Sequence, residues 1–287
     1  MLDMTVSKKE LPVTYLRPVR GWISLNLSAL WAYRELVYFL TWRDIKVRYK
    51  QAALGISWAI IQPVVHMVIF TVIFDRLVGV KTDANIPQDW YPIFSFAALL
   101  PWQLFQGALQ RSGISLVGNA NLLTKVYFPR LIIPFSAVAA GLVDFGASFL
   151  VLTGLMVFFK VPFTWNLLWL PLLVLLALMT ALAVGLWLSA LNVQYRDVQH
   201  MIPFLLQAWM YASPVVYSID LIPAEGPWRL LYGLNPMSGV IQGFRWALLG
   251  GNPPDLIMLV SVLMVIVLLV SGLYYFRRME RNFADMV

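Results

Sequence analysis

The sequence predicts an all-α polytopic membrane protein, from its apolar content, its long charge-free stretches and the lopsided placement of its charges. Of 287 residues, 60% are hydrophobic and 12% charged, with a mean hydropathy of +0.75. Soluble globular chains average about 45–50% apolar and ~25% charged, which excludes an ordinary cytosolic enzyme and a disordered chain here. Six candidate spans follow one another at 51–74, 90–110, 131–159, about 167–191, 198–219 and 256–276, and Asp144 is the one Asp, Glu, Lys or Arg within them. Each supplies the roughly 20 residues a helix needs to cross a hydrocarbon core of ~30 Å. A helix also satisfies its own backbone groups there.

Charge sets the orientation. With the N-terminus inside, 16 of the Lys and Arg residues fall on the cytoplasmic side and five outside, so the positive-inside rule puts both termini in the cytoplasm. The expected organisation is a cytoplasmic N-terminal segment 1–50, a six-span transmembrane domain 51–276 and a cytoplasmic tail 277–287. The net charge of +7 then reflects retained basic loops, and nucleic acid is not an expected partner.

Residues 1–50 hold nine basic residues against four acids. They lack the apolar core of a signal peptide, so the segment is expected to be retained. Leu30, Tyr33, Val37 and Leu40 recur at helical spacing, with Ser28 as a candidate cap. Trp31, Tyr38, Phe39 and Trp42 widen the apolar side, and Arg34, Arg43 and Lys46 supply charge. That mixture suits an amphipathic helix lying in the membrane interface, or one packed on a soluble partner. Between spans five and six, Trp228–Leu234 and Ser238–Leu249 are apolar but too short to cross, and Pro236, Gly250, Gly251, Pro253 and Pro254 punctuate them. They are expected to form two short re-entrant outer helices, within a gate region 221–250.

Catalytic chemistry is missing from the sequence. There is no cysteine and only two histidines, His66 and His200, so neither a thiol nor a metal centre is expected. No Gly-Lys dipeptide occurs, hence no phosphate-cradling Walker loop, and no G-x-G-x-x-G, H-E-x-x-H or G-x-S-x-G either. The scattered acids disfavour a membrane-embedded glycan-lipid transferase. Asp144 sits near the middle of span three, where a charge costs at least ~2.5–3.5 kcal/mol on insertion scales. It serves either as a path or proton-relay carboxylate or as a hydrogen-bond partner for a neighbouring helix. His66 is expected to hydrogen-bond across helices or to line a polar path. The aromatic run Trp209, Tyr211, Tyr217, Trp228, Tyr232 and Trp246 is denser than a membrane belt requires, and aromatic faces stack on sugar rings.

Four motifs carry a resemblance. Arg43-Asp-Ile-Lys-Val-Arg-Tyr-Lys50, continued by Leu54-Gly55 and Trp58 and closed by Gln62-Pro63, resembles the approach to the first span of polysaccharide-export permeases of type-2 ABC transporters. Lys125-Val-Tyr-Phe-Pro-Arg130 with Pro134 resembles that family's loop between spans two and three, and Tyr195-Arg-Asp-Val198 its loop before span five. Leu234-Asn-Pro-Met237, with Ile241 and Phe244-Arg245, resembles its external re-entrant motif.

The resemblance implies a half-transporter that binds no cofactor itself. Two copies of the chain would form one path, and two copies of a separate ABC ATPase subunit would carry ATP and magnesium. It implies contact with that ATPase through Arg34, Arg43, Asp44, Lys125, Tyr127, Phe128, Pro129 and Arg130, and substrate uptake past Lys46, Arg48 and Lys50. The outer gate and glycan contacts would involve Tyr217, Trp228, Tyr232, Asn235, Pro236, Arg245 and Trp246. The implied substrate is a lipid-linked polysaccharide crossing the bacterial inner membrane, of O-antigen, capsule or teichoic-acid kind, and the long N-terminal segment favours the O-antigen type. A drug-efflux permease of the wider superfamily is the alternative.

Overall fold

A computed structural model of the protein describes residues 31–50, 55, 57–221, 227–253, 255–280 and 283, which form helices and no strand. Ser28 and Leu30 lie outside the described residues. Helix α1, Arg34–Lys50, ends with Arg48 and Lys50 in its last turn, where cations complement the helix dipole. It buries Leu40 and leaves Tyr38, Phe39 and Trp42 exposed.

Helix α2, Ser57–Phe70, runs on as a π-helical segment, Thr71–Leu77. Helix α3, Tyr91–Gly118, is followed by the short α4, Ala120–Lys125. Helices α5, Ile132–Ala139, and α6, Gly141–Phe158, form one rod interrupted at Ala140. A 3-10 turn, Trp165–Trp169, leads into α7, Leu170–Gln194. Then come α8, Val198–Tyr211, the short α9, Pro227–Gly233, α10, Pro236–Leu249, and α11, Leu256–Met279.

Among the described residues, four rods are long and apolar enough to cross a membrane: Ser57–Leu77, Ile132–Phe158, Trp165–Gln194 and Leu256–Met279. Helix α3 has the length, 28 residues, but carries Gln103, Gln106, Gln110 and Arg111, so the expected boundary at residue 110 lies well inside it. The stretch expected to cross at 198–219 is helical only as far as Tyr211. At 1.5 Å per residue its helix spans about 21 Å. Pro214 explains the end, because it has no N–H and disfavours the helical conformation in the residue before it. The freed carbonyl of Ala212 instead accepts from Asn235 Nδ2 at 3.1 Å.

Helix α3 is the hub, packed against α2, α5, α6, α7, α8 and α10. Phe94, Phe96, Trp102 and Phe105 on it join Leu173 of α7, Leu206 of α8 and Phe244 of α10 in one core. Lipid tails give apolar helices little reason to associate, so close backbone approach matters. Gly185 of α7 provides it: a Cβ there would overlap the side chain of Ser112 on α3. A second core lies at the end of the bundle nearest α1. It unites Leu40, Leu116, Leu123, Phe128, Ile132, Leu186 and Phe276.

Candidate functional site

Around its circumference α3 is buried except along one stripe. Gln103, Gln106, Gly107 and Arg111 are half-buried and Gln110 is exposed. These positions, at steps of three and four, line up on one helical face. They open on a cavity of about 370 Å³ whose other walls include Arg48, Tyr49, Trp58, Gln62, Gly141, Asp144, Phe145 and Ser148. That volume lies in the range of small-ligand sites, about 300–1,000 Å³. Four amide side chains face it, Gln62, Gln103, Gln106 and Gln110, and an amide both donates and accepts. Gln106 Oε1 accepts from Trp102 Nε1 at 3.0 Å, which orients it.

Asp144 resolves as a carboxylate shared by three elements. It accepts from Arg48 and Tyr49 of α1 and from Arg111 of α3 at 3.3 Å. The side chains of Arg48 and Asp144 keep 28% and 30% of their surface open, so the cluster borders the cavity and is not sealed in the core. Arg111 Nε donates to the Ala137 carbonyl at 3.3 Å, beside the break between α5 and α6. Gly141 permits this, since a Cβ there would collide with the Arg111 guanidinium. Tyr49 is held above the usual phenol range, first by burial and then by Asp144, and stays a hydrogen-bond donor. Nearby, Pro63 offers no N–H to the carbonyl of Ala59 one turn back. Ser148 of α6 fills that vacancy, its hydroxyl donating at 2.9 Å.

His66 makes no cross-helix hydrogen bond among the described residues. Its Nδ1 contacts the Gln62 carbonyl at 2.8 Å and its ring meets Phe70 edge-on, both on its own helical segment. A carbonyl one turn back is within reach without any neighbour's help, and the histidine uses it.

The residues assigned to ATPase contact fall into two groups that the fold brings together. Arg43 Nη2 donates to Asp44 and to Asn119 at 2.8 Å each, pinning α1 to the corner after α3. Phe128 is buried in the second core, Pro129 and Arg130 are half-buried, and Lys125 is exposed. Tyr127 is 80% exposed, free to meet a partner surface. Arg130 donates its backbone N–H to Glu280 Oε1 at 3.2 Å and its guanidinium to the Glu280 carbonyl, tying this loop to the end of α11. Arg34 is exposed beside Trp31. Of the residues assigned to substrate uptake, Lys46 and Lys50 are exposed, whereas Arg48 belongs to the Asp144 cluster.

The residues assigned to the outer gate divide between a clasp and the surface. Arg245 is 2% exposed. Its two terminal nitrogens donate to the carbonyls of Tyr217 and Val215 at 3.0 Å each, and its guanidinium lies 3.5 Å from the ring centre of Phe94. Asp83, also buried, accepts from Ser218. Burial pushes its carboxyl above the usual range, opposed by the charge of Arg245 and by the Ser218 bond.

Asn235 caps α10 by accepting from Met237 N at 3.1 Å, also accepts from Trp209 Nε1 at 2.9 Å, and donates to Ser213 Oγ at 2.9 Å. Pro236 occupies the first helical position, where its missing N–H is not needed. Tyr217 and Tyr232 share a hydroxyl hydrogen bond. Trp246 packs toward Trp169, and Trp228 is 66% exposed. The aromatic run therefore does not make one continuous stacking face.

Sequence reasoning missed the amide stripe and Arg111. The signal for the stripe was present, three glutamines at spacings of three and four in an apolar stretch.

Apolar rods around a hub helix whose polar face opens on a cavity define a multi-pass membrane protein with its chemistry between the helices. More narrowly, the chain belongs to the ABC-2 type transporter family, whose profile matches residues 35–249. It is thus a transport subunit and not a catalytic one. Among similar proteins, the O-antigen export system permease protein RfbA of Myxococcus xanthus is 33% identical over 255 residues, covering 88% of this chain and 95% of the relative. RfbA of Klebsiella pneumoniae is 27% identical over 254 residues, with the same coverage. The polysialic acid transport protein KpsM of Escherichia coli is 26% identical over 256 residues, 83% of this chain and 91% of the relative.

Proposed function

We propose that this chain is the membrane-spanning subunit of an ABC exporter that moves a lipid-linked polysaccharide, of O-antigen type, across the bacterial inner membrane. The observation that carries the reading is the amide stripe of α3 open on its cavity. Sugar hydroxyls both donate and accept, and so do the amides of Gln62, Gln103, Gln106 and Gln110. Neutral amides suit a moving chain, because they hold no single sugar by charge. The export relatives support the same reading.

In this reading six segments cross the membrane: the α2 rod, α3, the α5–α6 rod, α7, α8 with the turns after it, and α11. Helices α9 and α10 form the outer gate, and both termini are cytoplasmic. Two copies face each other so that their half-open cavities join into one path. The ATP and magnesium belong to two copies of a separate ATPase subunit, which docks on α1 and the loop around Tyr127.

The test is ATP-dependent export of lipid-linked glycan into vesicles holding this chain and its ATPase. Replacing Gln103, Gln106 and Gln110 together by Leu is expected to abolish export while the ATPase still co-purifies. Unimpaired export by that variant refutes the stripe as the path.

A further inference from the structure

A carboxylate that only neutralises a buried cation needs one partner, but Asp144 has two. Arg48 reaches it from α1 and Arg111 from α3, so these three side chains carry a net charge of +1. Neither arginine is spent on closing a core. Both line the cavity, as does Asp144. Arg111 is fixed in place, with a Cβ at Gly107 or Gly141 meeting its terminal nitrogens. Two guanidinium groups converge on one carboxylate oxygen, Oδ2 of Asp144, as they would around a phosphate oxygen, for which the planar fork of arginine is suited. Lys46 and Lys50, exposed on the last turns of α1, add further positive charge.

The next residue, Phe145, has a second role. It borders the polar cavity and also an apolar groove of about 710 Å³, lined by Phe149, Met156, Leu167, Val174 and Leu178. A polar space with surplus positive charge and a hydrocarbon-lined space thus share one wall. A ligand with an anionic head and a long apolar tail fits both, and a free anion uses only the first.

We propose that Arg48 and Arg111 bind the diphosphate of a lipid-linked substrate, with Asp144 as a built-in competitor that occupies them until the substrate displaces it. The proposal rests on the export reading above. The displaced carboxylate keeps the Tyr49 hydroxyl as a donor and faces an open cavity. Occupation of the arginines by Asp144 lowers the competent fraction of the site, so removing its charge raises apparent affinity.

The experiment uses the full chain with its ATPase in nanodiscs and a fluorescent polyprenyl diphosphate as probe. Asp144→Asn is expected to tighten binding about tenfold, by freeing both arginines. Arg48→Gln and Arg111→Gln are each expected to weaken it about tenfold or more, through loss of a charged fork. The polyprenyl alcohol is expected not to compete, and inorganic pyrophosphate to compete only at far higher concentration.

Wild-type affinity in a folded Asp144→Asn protein, or in the arginine variants, overturns the proposal. Pyrophosphate binding as tightly as the lipid overturns the assignment to a lipid-linked ligand. Should Asp144→Asn not fold, Arg48→Gln carries the test, since it leaves the Arg111–Asp144 pair intact. Wild-type glycan export together with unchanged binding in all variants overturns this site alone. Failure of the wild-type protein to export overturns the underlying reading instead.

Discussion

Replacing Arg245 by Met removes the centre of the clasp and keeps most of the side chain's bulk. The guanidinium donates to two carbonyls, those of Tyr217 and Val215, at 3.0 Å each. Hydrogen bonds from a charged donor contribute about 1.5–3 kcal/mol each. Against this stands the cost of keeping a guanidinium dry, which the variant no longer bears. The two carbonyls left without a donor cost about 1–3 kcal/mol each, so a loss near the middle of that range, about 3–5 kcal/mol, is expected. For a chain of this size each kcal/mol moves the thermal midpoint by about 2–4 °C, so a fall of roughly 6–20 °C is expected.

Intrinsic fluorescence follows the transition readily, with 12 tryptophans in the chain. The comparison is Arg76→Met, whose side chain is 80% exposed and whose change should stay within about 0.5 kcal/mol. Because Asp83 feels the charge of Arg245, adding Asp83→Asn to Arg245→Met should recover part of the loss, about 1 kcal/mol of coupling. A midpoint for Arg245→Met equal to that of Arg76→Met refutes the clasp. Strict additivity with Asp83→Asn removes Asp83 from it.

Four further outcomes are expected. Ser148→Ala leaves the Ala59 carbonyl without its donor and should lower stability by about 1 kcal/mol, seen as a drop of a few degrees in the midpoint. Gly141→Leu should evict the Arg111 guanidinium from its seat and depress vesicle export while ATPase co-purification persists; undiminished export counts against the placement of Arg111.

Asp83 has a folded-state pKa raised by burial above its ordinary value of 3.8. Its contribution to stability is therefore fully present below the unfolded pKa and lost as pH rises through the folded one. Asp83→Asn should gain on the wild type as pH rises toward neutral, so that its midpoint minus the wild-type midpoint falls on acidification; a constant difference shows that the carboxyl does not titrate in that window. Tyr127→Ala should weaken ATPase co-purification with the midpoint unchanged, whereas Phe128→Ala should destabilise the chain by about 3–5 kcal/mol.

The apolar skeleton was legible in the sequence because its signals are local. A charge-free run announces a helix wherever it sits, and the positions of α2, the α5–α6 rod, α7 and α11 follow to within a few residues at most ends. The two short helices α9 and α10 were legible for the same reason, since Pro236 and Gly250 mark their limits. The partnerships were not legible. Arg111 reads as the end of a span until Asp144, 33 positions later, is known to meet it. A rule that lets charge mark a loop misplaces any charge that is paired inside the bundle. Helices apolar on every side also give no clue to which face looks inward, so the stripe on α3 needed the fold. Counting only ionised groups hid it further, because glutamine is polar without charge.

Helix α1 shows what that distant pairing does. Within ten residues it places Leu40 in the second core, Arg43 on Asn119, and Arg48 and Tyr49 on Asp144. A helix is stiff over such a length, about 15 Å at 1.5 Å per residue. Its contacts with the corner after α3 and with the carboxylate in the cavity cannot then shift independently. The loop bearing Tyr127 shares the second core through Phe128, and it is tied to α11 through Arg130 and Glu280. A partner that pushes on α1 or on that loop displaces one packed unit, and the arginine facing the cavity is part of that unit.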